Sequence, residues 1–194
     1  RQPADFQVDP VIWHSVNLLD SAQVVSLMEA VQPTHLLHLA WITEHGKYWT
    51  SPANVDWVAA SMTMIKAFSE QGGKRVVVAG TCAEYDWQPG DCSESTTPLR
   101  PQSPYGEAKN DLRLQLEAFC QDSGLSHGWG RLFFLYGPAE HPKRLVPSVI
   151  QPLLQKQPAQ CSHGKQVRDY LYVTDAASAL VKLLDSSLTG PFNI

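Results

Sequence analysis

Short apolar runs alternate with amphipathic stretches along this chain of 194 residues. The run RVVVAG (75–80) is rich in β-branched residues and follows Gly-Gly, a pattern typical of a strand covered on both faces of a parallel sheet. By the same criteria, the chain is predicted to form strands over 11–19, 34–41, 75–80 and 127–137, and helices over 20–31, 55–71 and 104–121.

This order of elements, βαβαβαβ, predicts an α/β fold with a doubly wound, Rossmann-like parallel sheet. The last third of the sequence predicts a helix, a short strand and a further helix, with no linker that would mark a separate domain.

Composition narrows the classes of partner. The chain is 43% hydrophobic and 18% charged with a net charge of −4, so it carries no basic surface for nucleic acid, and a small-molecule partner is expected. Four cysteines without a C-x-x-C pair favour reduced thiols in the cytoplasm over a disulfide framework or a metal site. No apolar run reaches the length of about 18 residues that a membrane span needs, and the first residues do not resemble a signal peptide.

Candidate chemistry begins at Thr81, which directly follows the strand over 75–80. Ligands of open α/β sheets bind at the carboxyl ends of strands. Tyr105 and Lys109 follow at helical spacing in SPYGEAKN, so their side chains share one face of the predicted helix. Lowering a tyrosine pKa from ~10 to about 7 takes roughly 4 kcal/mol, which an adjacent ammonium supplies in a partly dry site. The alternatives are a surface Tyr/Lys pair and a Thr81 hydroxyl that only caps a helix.

Five blocks in order resemble motifs of the NAD-dependent epimerase/dehydratase family, the nucleotide-sugar branch of the extended short-chain dehydrogenases/reductases. The blocks are HLLHLAW, VVVAGTCAEY with the Y-x-x-x-K of SPYGEAKN, RLFFLYGP, GKQVRDYLYVTDAASALVKLL and GPFNI. The resemblance implies an enzyme that binds NAD or NADP and a nucleotide sugar.

Carried over by motif, the resemblance implies that Tyr105 is the catalytic acid/base and that Lys109 tunes it and binds the nicotinamide ribose. Thr81 would bond the sugar C–O group that is oxidised or reduced. The cofactor would also contact Asn17, Leu18, Leu39, Ala40, Trp41 and Phe133, while Phe134 and Arg168 would contact the substrate, with Arg168 at the diphosphate.

The family's glycine-rich loop has no counterpart in the sequence. We therefore expect residues 1–140 to form a partial NAD(P)-binding domain without its first βαβ unit. Residues 141–194 are expected to combine substrate-domain elements with returning Rossmann-like elements. The sequence is expected to belong to a longer protein.

The family's 4,6-dehydratases place an Asp-Glu pair directly after the strand-end Thr, where this chain has Cys82 and Ala83. Neither residue replaces a carboxylic acid in proton transfer, and Glu84 is expected to point to the opposite face. The favoured function is thus redox chemistry at C4 of a nucleotide-linked 4-keto-6-deoxy sugar. The alternatives are a 4-epimerase with bound NAD and a non-catalytic nucleotide-sugar-binding relative. The resemblance also implies a homodimer that pairs the helices over 55–71 and 104–121.

Overall fold

A computed structural model describes residues 11–88 and 90–194 of the chain. These residues form six strands, five helices and a short 3-10 helix, Cys82–Glu84. In chain order the others are α1 Ser21–Val31, β1 His35–His38, α2 Ala53–Glu70, β2 Arg75–Thr81, α3 Pro104–Ser123, β3 Ser126–Leu132, β4 Phe134–Tyr136, α4 Leu145–Leu154, β5 Tyr170–Tyr172, α5 Val173–Asp185 and β6 Gly190–Asn193.

The main sheet has four parallel strands in the order β1-β2-β3-β6. A second sheet pairs β4 with β5, also in parallel. All seven residues of β2 are buried, as expected for a central strand with both faces covered.

Helices cover both faces of the main sheet. Val76 and Val78 of β2 point into a core shared with α1, α2 and α3, while Val77 packs with Leu180 and Leu183 of α5 on the other face. The predicted doubly wound α/β fold is therefore confirmed.

Local signals in the sequence set the helix ends. The Asp20 carboxylate accepts hydrogen bonds from the backbone N–H groups of Ala22 and Gln23 and caps α1. The Ser103 hydroxyl caps α3, which begins with Pro104 and ends at Gly124 in the left-handed conformation with φ 74°.

Two predicted strands differ from the structure. Residues 11–19 form no strand, and their backbone pairs with none of the described strands. The single strand predicted over 127–137 is two strands in different sheets. At this point the chain changes partner: the Phe133 N–H donates to Ile194 O at 2.9 Å, and the Phe134 N–H donates to Asp169 O at 3.1 Å.

The predicted division near residue 140 stays a prediction, since α5 and β6 return to the main sheet while β4 and β5 form their own. Residues 1–10, where the signal-peptide pattern was sought, lie outside the described part. Within 11–88 and 90–194, no helix combines the length and apolar character needed to span a bilayer.

Candidate active site

The strand-end hydroxyl and the Tyr/Lys pair meet at the carboxyl edge of the main sheet. Thr81 is the last residue of β2, and Tyr105 and Lys109 lie in the first two turns of α3. The helix approaches closely because Gly106 has no side chain: a Cβ there would lie 2.4 Å from the Ala83 carbonyl oxygen. The three predicted catalytic residues are thus brought together.

Lys109 is buried, which excludes the alternative of a surface Tyr/Lys pair. Its Nζ donates to Ala79 O at 3.0 Å and lies 3.8 Å from the centroid of the Trp41 ring. Burial lowers the pKa of Lys109 to about 7, although the negative charge of Glu84 acts in the opposite direction.

Tyr105 packs against a stacked pair of aromatic rings, Tyr48 and Trp49. Tyr48 and Trp49 each meet its ring edge to face, at centroid distances of 4.9 and 5.4 Å. Burial raises the pKa of Tyr105, and the Thr81 side chain acts in the opposite direction, so the lowering that the sequence predicted from Lys109 is not found in this state. At neutral pH the phenol therefore carries its proton in this state.

Thr81 also caps a helix, which was the alternative role considered from the sequence. Its Oγ1 accepts a hydrogen bond from the Ala83 N–H at 3.2 Å and caps the 3-10 helix. The cap does not remove the hydroxyl from the site, since the same side chain interacts with Tyr105.

The buried side-chain amide of Asn54 connects Trp41, which contacts Lys109, with Tyr48, which contacts Tyr105. Asn54 Oδ1 accepts from Trp41 Nε1 at 2.8 Å, and Asn54 Nδ2 donates to Tyr48 O at 2.8 Å. Asn54 is only 1% exposed. It thereby fixes both Trp41, which covers Lys109, and Tyr48, which packs on Tyr105. The sequence did not indicate this role.

Glu84 is the second residue whose role the sequence analysis missed. Residues 82–84 form a 3-10 helix instead of a continued strand, so Glu84 turns into the core, and the expected opposite-face orientation is wrong. It is fully buried and accepts hydrogen bonds from Thr81 N, Trp129 Nε1 and Arg131 Nε. The spacing Thr81-x-x-Glu84 is that of a capping box and is the signal that predicts this turn.

A cavity of about 540 Å³ is lined in part by Cys82 and Ala83, the two residues that follow Thr81. Its lining is mainly aromatic or small, with one charged group; it includes Trp49, Cys82, Ala83, Trp87, Phe134 and Arg168. The Arg168 guanidinium lies 4.9 Å from the centroid of the Phe134 ring. Of the three residues predicted to contact substrate, Phe134 and Arg168 therefore line one cavity together with Cys82 and Ala83, whereas Thr81 is not part of its lining.

Besides Tyr105 and Lys109 on α3, the residues predicted to contact cofactor lie in three separate segments. Leu39, Ala40 and Trp41 follow β1, and Phe133 follows β3. Both segments therefore lie at the same sheet edge as Thr81. Asn17 and Leu18 form the turn before α1, where Leu18 packs against the core. Leu39 is 53% exposed, whereas the Trp41 side chain is buried.

Among the described residues, the remaining histidines and cysteines form no metal cluster. His35 is exposed, while His38 is buried and bonded to the Ser61 hydroxyl at 2.8 Å, so the two point to opposite sides of β1. Burial raises the pKa of the Cys82 thiol to about 12. Across residues 11–88 and 90–194, no three His, Cys, Asp or Glu side chains are arranged to hold a metal ion.

Comparison with known proteins identifies relatives. The sequence model of the NAD dependent epimerase/dehydratase family matches residues 1–194. An uncharacterized UDP-glucose epimerase of Bacillus subtilis (strain 168), YtcB, is 30% identical over 172 residues, which cover 87% of this chain and 53% of that protein. A dTDP-6-deoxy-L-talose 4-dehydrogenase (NAD(+)) of Aggregatibacter actinomycetemcomitans is 26% identical over 81% of this chain and 58% of its own.

Among solved structures, a UDP-N-acetylglucosamine 4-epimerase from Methanobrevibacter ruminantium M1, in complex with UDP-N-acetylmuramic acid, has the same fold. Its TM-score is 0.81 at 24% identity, over 91% of this chain and 58% of that one. The chain thus spans little more than half the length of the curated relatives it matches.

Proposed function

The chain belongs to the NAD dependent epimerase/dehydratase family, and on that premise we propose that it carries the catalytic centre of an NAD(P)-dependent oxidoreductase. The proposed substrate is a nucleotide-linked 4-keto-6-deoxy sugar, and the reaction takes place at C4. One observation carries the proposal: Thr81, Tyr105 and Lys109 meet at the carboxyl edge of the sheet, and the two residues that follow Thr81, Cys82 and Ala83, line the nearby cavity without offering a carboxylic acid.

The side chains at the sheet edge fit a nicotinamide ribose. An ammonium has three N–H donors, and among the described residues Lys109 Nζ gives a hydrogen bond only to Ala79 O, so donors remain for ribose hydroxyls. Asn17, Leu18, Leu39, Ala40, Trp41 and Phe133 are proposed to form the rest of the cofactor surface. When bound, the nicotinamide supplies or accepts the hydride at C4.

Tyr105 is the proposed proton donor for reduction of a C4 carbonyl. Because burial raises its pKa, the phenol holds the proton that the C4 oxygen takes up. The positive charge of Lys109 then stabilises the phenolate left behind. Thr81 is proposed to donate its hydroxyl proton in a hydrogen bond to the same C4 oxygen, which holds the carbonyl beside Tyr105.

Dehydration between C5 and C6 needs an additional acid and base near C6. Ala83 cannot transfer a proton, and the Cys82 thiol, with its pKa raised to about 12, stays protonated at neutral pH and cannot act as the base. Glu84 is also unsuited, since it is fully buried and its oxygens are engaged with Thr81, Trp129 and Arg131. These contacts favour redox chemistry without elimination.

The lining of the cavity favours a deoxy sugar as the substrate. Trp49, Trp87 and Phe134 present apolar ring surfaces that suit a C6 methyl group better than a C6 hydroxyl or carboxylate. Arg168 is the charged group of this lining, and its guanidinium fork suits diphosphate oxygens.

A nucleotide-sugar 4-epimerase is the second candidate, favoured by the name of the YtcB relative. It would use the same three residues with no net consumption of cofactor. A non-catalytic relative that only binds nucleotide sugars is the third.

Assembly as a homodimer is proposed as well. The helices α2 and α3 pack together, and a groove of about 540 Å³ runs along them, lined in part by Val55, Val58, Ala59 and Ala108. Val55 is 71% exposed. An apolar groove at this place suits a helix pair of a second copy. A cytoplasmic location stays a prediction from the cysteine pattern.

The functions are separated by incubating the full-length protein with a dTDP- or CDP-linked 4-keto-6-deoxy sugar and NADH or NADPH. A reductase consumes one cofactor for each sugar reduced. An epimerase interconverts C4 epimers of a UDP-hexose with no cofactor consumed, and neither activity indicates the non-catalytic relative. Formation of a 4-keto-6-deoxy product from dTDP-glucose would contradict the proposal.

A further inference from the structure

The buried carboxylate of Glu84 lies beneath the proposed catalytic centre and transfers no proton in the proposed reaction. We infer that Glu84 is a positioning residue of that centre, which fixes Thr81 at the end of β2 and supplies the buried negative charge that acts on Lys109. The inference rests on the proposed function for its kinetic part and on the structure alone for its electrostatic part.

The first line of evidence is the capping box around Thr81. Glu84 Oε1 accepts the Thr81 N–H at 2.8 Å, while Thr81 Oγ1 accepts the Ala83 N–H at 3.2 Å. These reciprocal bonds hold the Thr81 backbone and hydroxyl in one orientation, with Thr81 at φ −149° and ψ 146°. A hydroxyl that bonds a reacting oxygen needs such fixed placement.

Residues of β2 and β3 leave room for the Glu84 carboxylate. Trp129 of β3 donates its Nε1–H to both Glu84 oxygens, at 3.0 and 3.1 Å. A Cβ at Gly80 would lie 2.1 Å from Trp129 Nε1 and 2.7 Å from Glu84 Oε1. Only glycine at position 80 is compatible with both side chains, so the local sequence is fitted to the carboxylate.

Arg131 completes the surroundings of Glu84 and connects it to β6. Its Nε donates to Glu84 Oε2 at 2.7 Å, and a further guanidinium N–H donates to the Tyr85 hydroxyl at 3.0 Å. The Tyr85 hydroxyl donates in turn to Asn193 Oδ1 at 2.8 Å. Glu84 and Arg131 are 0% and 1% exposed, so neither charge is compensated by water.

Lys109 is the charged group that Glu84 affects on the catalytic side. The two side chains meet the same end of β2, since Lys109 Nζ donates to Ala79 O and Glu84 Oε1 accepts from Thr81 N, two residues further along the strand. The other titratable groups to consider are His38 of β1, which interacts with Lys109, and Tyr105, one turn earlier on the same helix. Burial keeps the pKa of His38 at about 3, so it is neutral near pH 7. Tyr105 is also neutral there, because burial raises its pKa.

Glu84 is therefore the charge that favours the ammonium form of Lys109. Its removal lowers the pKa of Lys109 further below about 7, so less of the side chain is protonated at neutral pH. A neutral amine stabilises the Tyr105 phenolate less well than an ammonium does.

The test is carried out on the full-length protein labelled with 13C at lysine Cε, with the Lys109 resonance assigned by its loss in Lys109→Met. Glu84→Gln alone leaves Arg131 buried and unpaired, so the main variant is Glu84→Gln combined with Arg131→Met. Its Lys109 titration midpoint is expected to fall by about half a pH unit or more. Glu117→Gln, which removes another carboxylate paired with an arginine, is the matched control and is expected to leave that midpoint unchanged.

A second variant, Glu84→Asp, separates positioning from charge. Aspartate retains the charge and is too short to reach both Thr81 N and Arg131, so the Lys109 midpoint should stay near the wild-type value. The kcat for a dTDP-linked 4-keto-6-deoxy sugar should fall about tenfold with little change in KM.

An unchanged Lys109 midpoint in the folded double variant would overturn the electrostatic part of the inference. A wild-type kcat in Glu84→Asp would overturn the positioning part. This second test does not depend on whether the double variant folds. If the wild-type protein turns over no nucleotide sugar, the proposed function fails, yet the Lys109 titration still decides whether Glu84 acts on it.

Discussion

The ammonium of Lys109 lies against the face of Trp41, with 3.8 Å between Nζ and the ring centroid. This contact places a buried cation on an aromatic surface that is itself held by Asn54. The side chains around the proposed centre therefore depend on Asn54, a residue of α2 that takes no part in the proposed reaction.

Asn54→Ala is expected to lower the free energy of unfolding by about 2 kcal/mol, because it leaves the Trp41 indole N–H and the Tyr48 carbonyl without their buried partner. Chemical denaturation measures this loss. Asn110→Ala, which removes a side-chain partner of Arg113 on α3, is the control and should cost less. Equal stability of the two variants would contradict the assigned role of Asn54.

Lys109→Met is expected to change how stability depends on pH. Burial lowers the pKa of folded Lys109 to about 7, whereas the unfolded value is about 10.4. The unfolded chain binds more protons between these values, so Lys109 makes stability rise with pH through that window, by at most roughly 1.4 kcal/mol per pH unit. Thermal unfolding from pH 7 to 9 should show a flatter profile in Lys109→Met. Lys182→Met on α5 should keep the wild-type slope.

His38 is expected to contribute to acid destabilisation. Its folded pKa of about 3 lies below the unfolded value of about 6.5, so the stability linked to its neutral form is present above pH 6.5. That stability is lost as the pH falls towards 3. His38→Gln should therefore lose less stability between pH 6.5 and 4.5 than the wild type, as measured by denaturant unfolding. The exposed His35 offers the control His35→Gln, and an identical profile for all three proteins would refute the prediction.

The proposed dimer is expected to depend on the α2/α3 groove. Val55→Arg introduces a charge into its lining and should convert a dimer into a monomer at micromolar concentration, as judged by light scattering. Val181→Arg alters a valine of α5 that is 48% exposed and should leave the dimer intact. A wild-type protein that is monomeric at this concentration would count against the interface.

The sequence predicted the alternation of elements well, because each helix and central strand carries its own signals. Asp20 and Ser103 are typical helix caps, and the β-branched run of β2 is typical of a buried strand. Residues 11–19 have an equally strong apolar pattern. A strand, however, needs a neighbour for its backbone groups, which a local pattern does not reveal.

The candidate site was predictable only in part. The strand-end position and the helical spacing place Thr81, Tyr105 and Lys109 together. The roles of Asn54 and Glu84 arise from contacts between segments far apart in sequence, such as the bond between Glu84 and Arg131, which 47 positions separate. The change of partner at Phe133 is likewise set by tertiary contacts, since RLFFLYG is a continuous apolar pattern.

The central claim is that Tyr105, with Thr81 and Lys109, carries out redox chemistry at C4. The most direct test follows the absorbance of NADH or NADPH while the full-length protein acts on a dTDP-linked 4-keto-6-deoxy sugar. We expect that the wild type oxidises the cofactor and that Tyr105→Phe, which keeps the ring and the fold, is slower by about 10² or more. Tyr136→Phe, a tyrosine of β4, should retain wild-type turnover. Near-native turnover in Tyr105→Phe would contradict the account.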